Sequence, residues 1–133
     1  REDLVVLPVC LKRLSVGDCL ELGSILAGII RELGEPVGIV ASSDMSHFQP
    51  ADVAHTQDHL AIDAALARDP AGLYEVVHRN RISMCGVIPA TVALAAANEL
   101  GAKDAHLVDY ATSGDVTGDA GSVVGYAGVC IHR

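Results

Sequence analysis

The stretch Gly38-Ile39-Val40-Ala41-Ser42-Ser43-Asp44-Met45-Ser46-His47-Phe48 constrains the fold more than any other part of the chain. A short charge-free run, entered through Pro36 and left in polar residues, reads as a strand buried on both faces, as in a parallel sheet. In open α/β sheets, ligand sites gather at the carboxyl ends of such strands. Asp44 and His47 stand just past that end, and an acid close to an imidazole can fix its tautomer. The same residues suit a plainer role, because Ser42, Ser43 and Asp44 are turn and N-cap formers for a following helix.

The elements around this stretch alternate as an α/β fold requires. Leu4-Val5-Val6-Leu7-Pro8-Val9-Cys10 reads as an apolar strand. Ser15 with Asp18 three residues on resembles a capping box. From Val16 to Leu33 the apolar set Cys19, Leu22, Leu26, Ile29, Ile30 and Leu33 recurs at helical spacing, and Gly34 supplies the C-cap. Strand, helix and strand then make a right-handed crossover unit in a parallel sheet. Pro50 and Ala51 open a second helix reaching about Arg68. Asp69 caps a third, with Pro70 at its first position. A fourth runs from Pro89 to Leu100 before Gly101, rich enough in alanine to approach a neighbour closely. The last third is β, from Ala105 to Ala111 and from Ser122 to Ile131. The intervening glycine-rich connection resembles a calcium loop only loosely, lacking the glutamate that closes one. The expected fold is a mostly parallel sheet core flanked by helices, with residues 1–133 as one domain.

Two groups compete with Asp44 and His47 for chemistry. His55 and His59 lie four apart on the second helix and could share a zinc, as in zinc hydrolases. The acid between them is Asp58, one methylene shorter than the glutamate such sites use, and Gln57, Asp58 and Asp63 give that helix the look of a solvated face. Cys85 lies between Met84 and Gly86 near a helix start, where the positive end of the helix dipole favours a thiolate. A thiolate there serves as a soft metal ligand or a nucleophile, while a lone cysteine also serves as packing. Cys10, Cys19 and Cys130 lie in apolar segments and read as small buried hydrophobes.

Charge narrows the classes of partner. The net charge is -8 and the nine Lys and Arg are scattered. With only three Tyr and one Phe there is no stacking platform either, so nucleic acid is not the expected partner. The longest charge-free stretch, from Ile82 to Asn98, contains Gly86 and Pro89 and falls short of the roughly 20 apolar residues a membrane span needs. Four cysteines without paired spacing fit a reduced, cytoplasmic protein. The chain opens at Arg1, with no Met, and enters an apolar strand almost at once, which suggests a cut inside a domain.

Three separate motifs carry a resemblance. Ser42-Ser43-Asp44-Met45-Ser46-His47, then Ile82-Ser83-Met84-Cys85-Gly86 with Pro89, then Thr112-Ser113-Gly114-Asp115-Val116 with Gly118-Asp119 and Val124-Gly125-Tyr126-Ala127 resemble the Memo family. In bacteria and archaea this is the AmmeMemoRadiSam system protein B. The likeness runs in order from about Asp3 to Ile131. It implies an α/β fold akin to the class III extradiol dioxygenases (the LigB type), which use non-haem iron. It also implies that Cys85 is a metal ligand, with Met84 where the family has isoleucine, and that His47 occupies the acid/base position with Asp44 beside it. Family members are about twice as long, and their two metal-binding histidines belong to the first half. None of His47, His55, His59, His78, His106 and His132 matches them. The resemblance therefore implies a C-terminal portion of a metal-binding protein, with iron or copper as cofactor in the intact molecule and not retained by this portion alone. Its partners would be the missing N-terminal half and an unknown small molecule or peptide, and the uncovered surface could pair with a second copy. A non-catalytic metal- or peptide-binding module remains the alternative from another class.

Overall fold

Ser15 starts the first helix in the manner its sequence specifies. Its hydroxyl accepts the Asp18 N–H while the Asp18 carboxylate accepts the Ser15 N–H, closing a reciprocal cap. The helix α1 then runs Val16–Leu33 and ends on Gly34 at φ 65°, a left-handed conformation that glycine adopts without strain. The structure is a computed structural model and describes residues 4–133, so the reading attached to Arg1 lies outside the described residues. The other elements are β1 (His47–Gln49), α2 (Ala51–Leu66), α3 (Pro70–Arg79), α4 (Val87–Glu99), β2 (Asp104–Thr112), α5 (Gly114–Thr117) and β3 (Val123–His132).

Helix boundaries follow local chemistry. Asp69 accepts the Gly72 N–H and caps α3, with Pro70 just inside the start. On α4 the small residues let α1 come close. A Cβ on Gly23 would stand 2.6 Å from Ala95 Cβ and 2.9 Å from the Val92 carbonyl oxygen, so only glycine fits that crossing. The core gathers Met45 from the segment before β1 with Ile62, Leu73, Val77, Ile82, Val87 and Leu94 from α2, α3, α4 and the loop between α3 and α4. Leu107, Tyr110, Ala127 and Ile131 close it from one face of β2 and β3.

The sheet corrects the expected topology. The fold is α/β in composition, but among the described residues the sheet has three strands in the order β1-β3-β2, and both pairings are antiparallel. The segments 4–10 and 36–42, read above as parallel strands, pair with no strand among the described residues. Val5 and Val40 are each 91% exposed. An apolar run states that a segment wants cover, but a strand exists only where a neighbour takes its N–H and C=O groups. No described segment does so here, and the crossover unit does not form. The connection after β2 also differs, since it holds the short α5, with Gly118 at φ 77° as its left-handed cap. Asp115 accepts from the Thr112 backbone and hydroxyl, which ties the loop down and holds its carboxyl below the usual range. Among the described residues no helix is long and apolar enough to cross a membrane.

Candidate metal centre

Residues 42–47 and 83–86 meet side by side because Gly86 has no side chain. A Cβ there would lie 2.5 Å from the Ser42 carbonyl oxygen and 2.5 Å from Ser43 Cβ. The close approach is stitched by Ser43, whose hydroxyl accepts the Gly86 N–H (2.8 Å) and donates to the Asp44 carbonyl (2.6 Å). The Asp44 N–H donates to Cys85 Sγ at 3.2 Å. On the other side, Ser83 Oγ accepts the His47 N–H at 2.7 Å. Cys85 therefore joins Asp44 and His47 from a distant part of the sequence: a ligand atom of each of the three lies within 4.8 Å of the others.

The protonation pattern at His47 follows from its partners. Nδ1 is 2.7 Å from the Ser83 carbonyl oxygen. A carbonyl can only accept, so Nδ1 carries the hydrogen, and in the neutral ring Nε2 keeps its lone pair. That Nε2 faces Asp44 Oδ2 at 3.4 Å. Two electron-pair donors facing each other at that distance, with a sulfur beside them, call for a proton or a cation between them. Asp44 and His47 are half-buried and Cys85 is exposed, so the opening is on the sulfur side.

The peptide after His47 is bent to allow this. Phe48 sits at φ 57°, and the pairing of β1 with β3 shifts register between His47 and Gln49. Such an irregularity re-aims the neighbouring side chains, and the Phe48 ring is left 76% exposed.

The zinc-hydrolase pair fares differently. His55 and His59 stack at 4.0 Å between ring centroids, and Tyr110 meets both edge-on. Among the described residues no third ligand joins them within metal-binding distance. Asp58, read above as part of a solvated face, is instead wholly buried, and its carboxylate turns inward to the Ser46 N–H and the Tyr110 hydroxyl. Helical spacing placed Asp58 near the histidines but could not show that the step of about 100° between it and His59 turns its carboxylate under the site loop. The signal available was the lone aspartate among Ala54, Ala61 and Ile62, the buried stripe of α2. Of the cysteines read as buried, only Cys19 is; Cys10 and Cys130 are exposed. Cys10 lies in an unpaired segment, and Cys130 faces outward from a sheet whose other side covers the core.

Beside the cluster, a groove of about 1130 Å³ runs between α1, α4, the segment 36–43 and β3, with Ile30, Val37, Ile39, Leu94, Val129 and Ile131 among its walls.

A family model described as Memo-like protein matches residues 1–130. A MEMO1 family protein of Methanosarcina barkeri is 38% identical over 131 residues, which are 98% of this chain and 49% of that protein. One from Methanococcoides burtonii is 42% identical over 129 residues, 97% of this chain and 48% of the relative. One from Methanocaldococcus jannaschii is 39% identical over 127 residues, 96% and 44% respectively. The chain thus spans about half the length of the relatives it matches.

Proposed function

The chain belongs to the Memo-like protein family, and on that premise we propose that it contributes Cys85, with His47 and Asp44 beside it, to a mononuclear non-haem iron or copper centre in a protein related to the extradiol dioxygenases. The observation that carries the reading is the convergence of Asp44, His47 and Cys85, with a ligand atom of each within 4.8 Å of the others. A thiolate with imidazoles suits iron or copper better than magnesium or calcium, which take oxygen donors. Two further imidazoles would come from the remaining part of a protein of the relatives' length, packed over segments 4–10 and 36–42. A reducing, cytoplasmic setting belongs to the same reading, because a ligand thiolate must stay reduced.

Bound there, the metal would supply a redox-active Lewis acid. The chain's own residues would do the rest. Cys85 would hold the ion by its sulfur, in a loop fixed by Ser43 and Gly86. His47 exchanges a proton at Nε2, since Nδ1 is committed to the Ser83 carbonyl. Asp44 Oδ2, 3.4 Å from that nitrogen, orients the proton.

Metal content and turnover measured side by side test this. The chain alone should retain no stoichiometric iron or copper after dialysis, because its ligand set is incomplete. In the protein completed by the other half, Cys85→Ala should lose the ion. His47→Ala should keep it and lower turnover by roughly 10²–10⁴-fold, the usual scale for a general acid or base. If His47→Ala strips the metal as fully as Cys85→Ala, His47 is a ligand and the division of roles fails. The second reading is a module that binds a metal or peptide without turnover, favoured by the apolar groove beside the cluster. Oxygen uptake with a panel of catechols separates the two.

A further inference from the structure

The loop that carries Asp44 and His47 is pinned at Ser46, which lies between them, and the pin comes from outside the cluster. Asp58 on α2 is 0% exposed. Its Oδ1 accepts the Ser46 N–H at 2.9 Å and its Oδ2 accepts the Tyr110 hydroxyl at 2.9 Å. An ionised carboxylate is costly to bury unless donors compensate it, and these two donors come from different parts of the fold. Burial first, and then the bond to Asp58, push the Tyr110 hydroxyl well above its ordinary range, so it stays a donor.

The opposite side of Ser46 is held as firmly. The Gly125 N–H donates to the Ser46 carbonyl at 3.0 Å, and the Met45 N–H donates to the Gly125 carbonyl at 2.9 Å. A Cβ on Gly125 would overlap Asp58 Oδ2, so the absence of a side chain is what lets the carboxylate reach under the loop. Ser46 Oγ is buried with no partner, the only such side-chain atom among the described residues. A buried hydroxyl left unpaired is unfavourable, so the loop would relax elsewhere if its backbone were not held.

We propose that Asp58 is a positioning residue for the Asp44–His47–Cys85 cluster: through the Ser46 N–H it fixes where Asp44 Oδ2 and His47 Nε2 stand relative to the Cys85 sulfur. That placement also sets the cluster's affinity for a metal ion, a consequence that rests on the metal reading above. The geometric part does not.

The test uses the chain with Asp58→Asn, which keeps the shape and removes the charge, alongside Asp58→Ala, Tyr110→Phe and, as a control on the exposed side of the same helix, Asp63→Asn. Amide hydrogen exchange at Ser46 and His47 reports the pin without any metal. Co(II) titration, followed through its sulfur charge-transfer band, reports the cluster. With Asp58→Asn, exchange at Ser46 should rise about tenfold while the α4 amides keep their protection, a loss on the scale of one charge-assisted hydrogen bond. Co(II) affinity should fall by about 10-fold, and by up to about 100-fold with Asp58→Ala if that variant folds. Tyr110→Phe should act in the same direction but less, and Asp63→Asn should do nothing. A merely structural aspartate would raise exchange throughout the core and leave the Co(II) band and affinity of the folded fraction unchanged. Wild-type exchange at Ser46 and His47 in Asp58→Asn overturns the proposal outright. Because the ligand set is incomplete in the chain alone, an absent sulfur–Co(II) band in the wild-type chain overturns only the affinity consequence, and the exchange experiment decides the role of Asp58.

Discussion

Leu94 on α4 and Val40 in the segment 36–43 are both aliphatic residues in charge-free runs, yet Leu94 is 2% exposed and Val40 is 91% exposed. Their surroundings differ in one respect. A helix satisfies its own backbone, so α4 needs only an apolar surface to lie on, and α1 and α3 provide it. The segment around Val40 reads as a strand, and a strand must find hydrogen-bonding neighbours before its side chains can be covered. The packed body and the bare segments thus mark what helices can complete alone and what a sheet cannot.

The largest expected effect separates the two regions by stability. Leu94→Ala should destabilise the chain by about 2–5 kcal/mol, the usual cost of a core cavity. Val40→Ala should stay within about 0.5 kcal/mol, as surface changes do. Urea unfolding gives both values. A Val40→Ala loss as large as that of Leu94→Ala would mean the segment is covered in solution, and the contrast would disappear.

Covering by a second copy is the next test. Leu4, Val5, Val6 and Leu7 are exposed together near the groove that Leu4 helps to line. Contiguous apolar surface of this kind associates, so light scattering should show mass rising with concentration. Val5→Asp combined with Val40→Asp should return the chain toward monomer. A strict monomer at high concentration for the wild-type chain breaks the comparison from the other side.

Thiol chemistry sharpens it on a smaller scale. Cys19 lies in the α1–α4 contact, where burial foremost and then Asp18 push its thiol up. Only the thiolate reacts, so Cys19 should label with iodoacetamide last and only toward higher pH, well after the exposed Cys85. Mass spectrometry at neutral pH gives the order. Equal labelling of Cys19 and Cys85 would show that the helix pair opens as readily as the bare segments.

The smallest effect is on the acid side. Hydrogen bonds from the Ser15 hydroxyl and then its backbone hold the Asp18 carboxyl below its ordinary value of 3.8. Thr112 does the same for Asp115, its backbone more than its hydroxyl. A carboxyl lowered in the folded state contributes fully above its unfolded value, and the contribution is lost as pH falls through the folded one. Thermal melts should therefore decline below about pH 4, a little less steeply in Asp18→Asn. An unchanged acid limb in that variant would mean the cap is already open in solution.

Much of this architecture was legible because helices announce themselves locally. Ser15 with Asp18, Gly34, and Asp69 with Pro70 each fix a boundary through groups within a few residues, and the structure places all of them as expected. The convergence of Cys85 on Asp44 and His47 could be anticipated from the family resemblance, but not from spacing, since it depends on Gly86 admitting the Ser42–Ser43 backbone. Two features were out of reach. Strand pairing is a relation between distant segments, so apolar runs at 4–10 and 36–42 looked like parallel strands while the pairing went to β1, β3 and β2. The inward turn of Asp58 depends on Tyr110 and Gly125, contributed by strands more than fifty residues further along.

The fit of Asp58 beneath Gly125 also ties the histories of the two positions together. Replacing Gly125 by alanine first would drive a methyl into the carboxylate. Shortening Asp58 first would open the room that methyl needs, at the expense of the Ser46 tether. The two changes are therefore epistatic, and the order of mutation decides whether a lineage can pass between them. A double-mutant cycle should show Gly125→Ala harming the Asp58→Ala background less than the wild type.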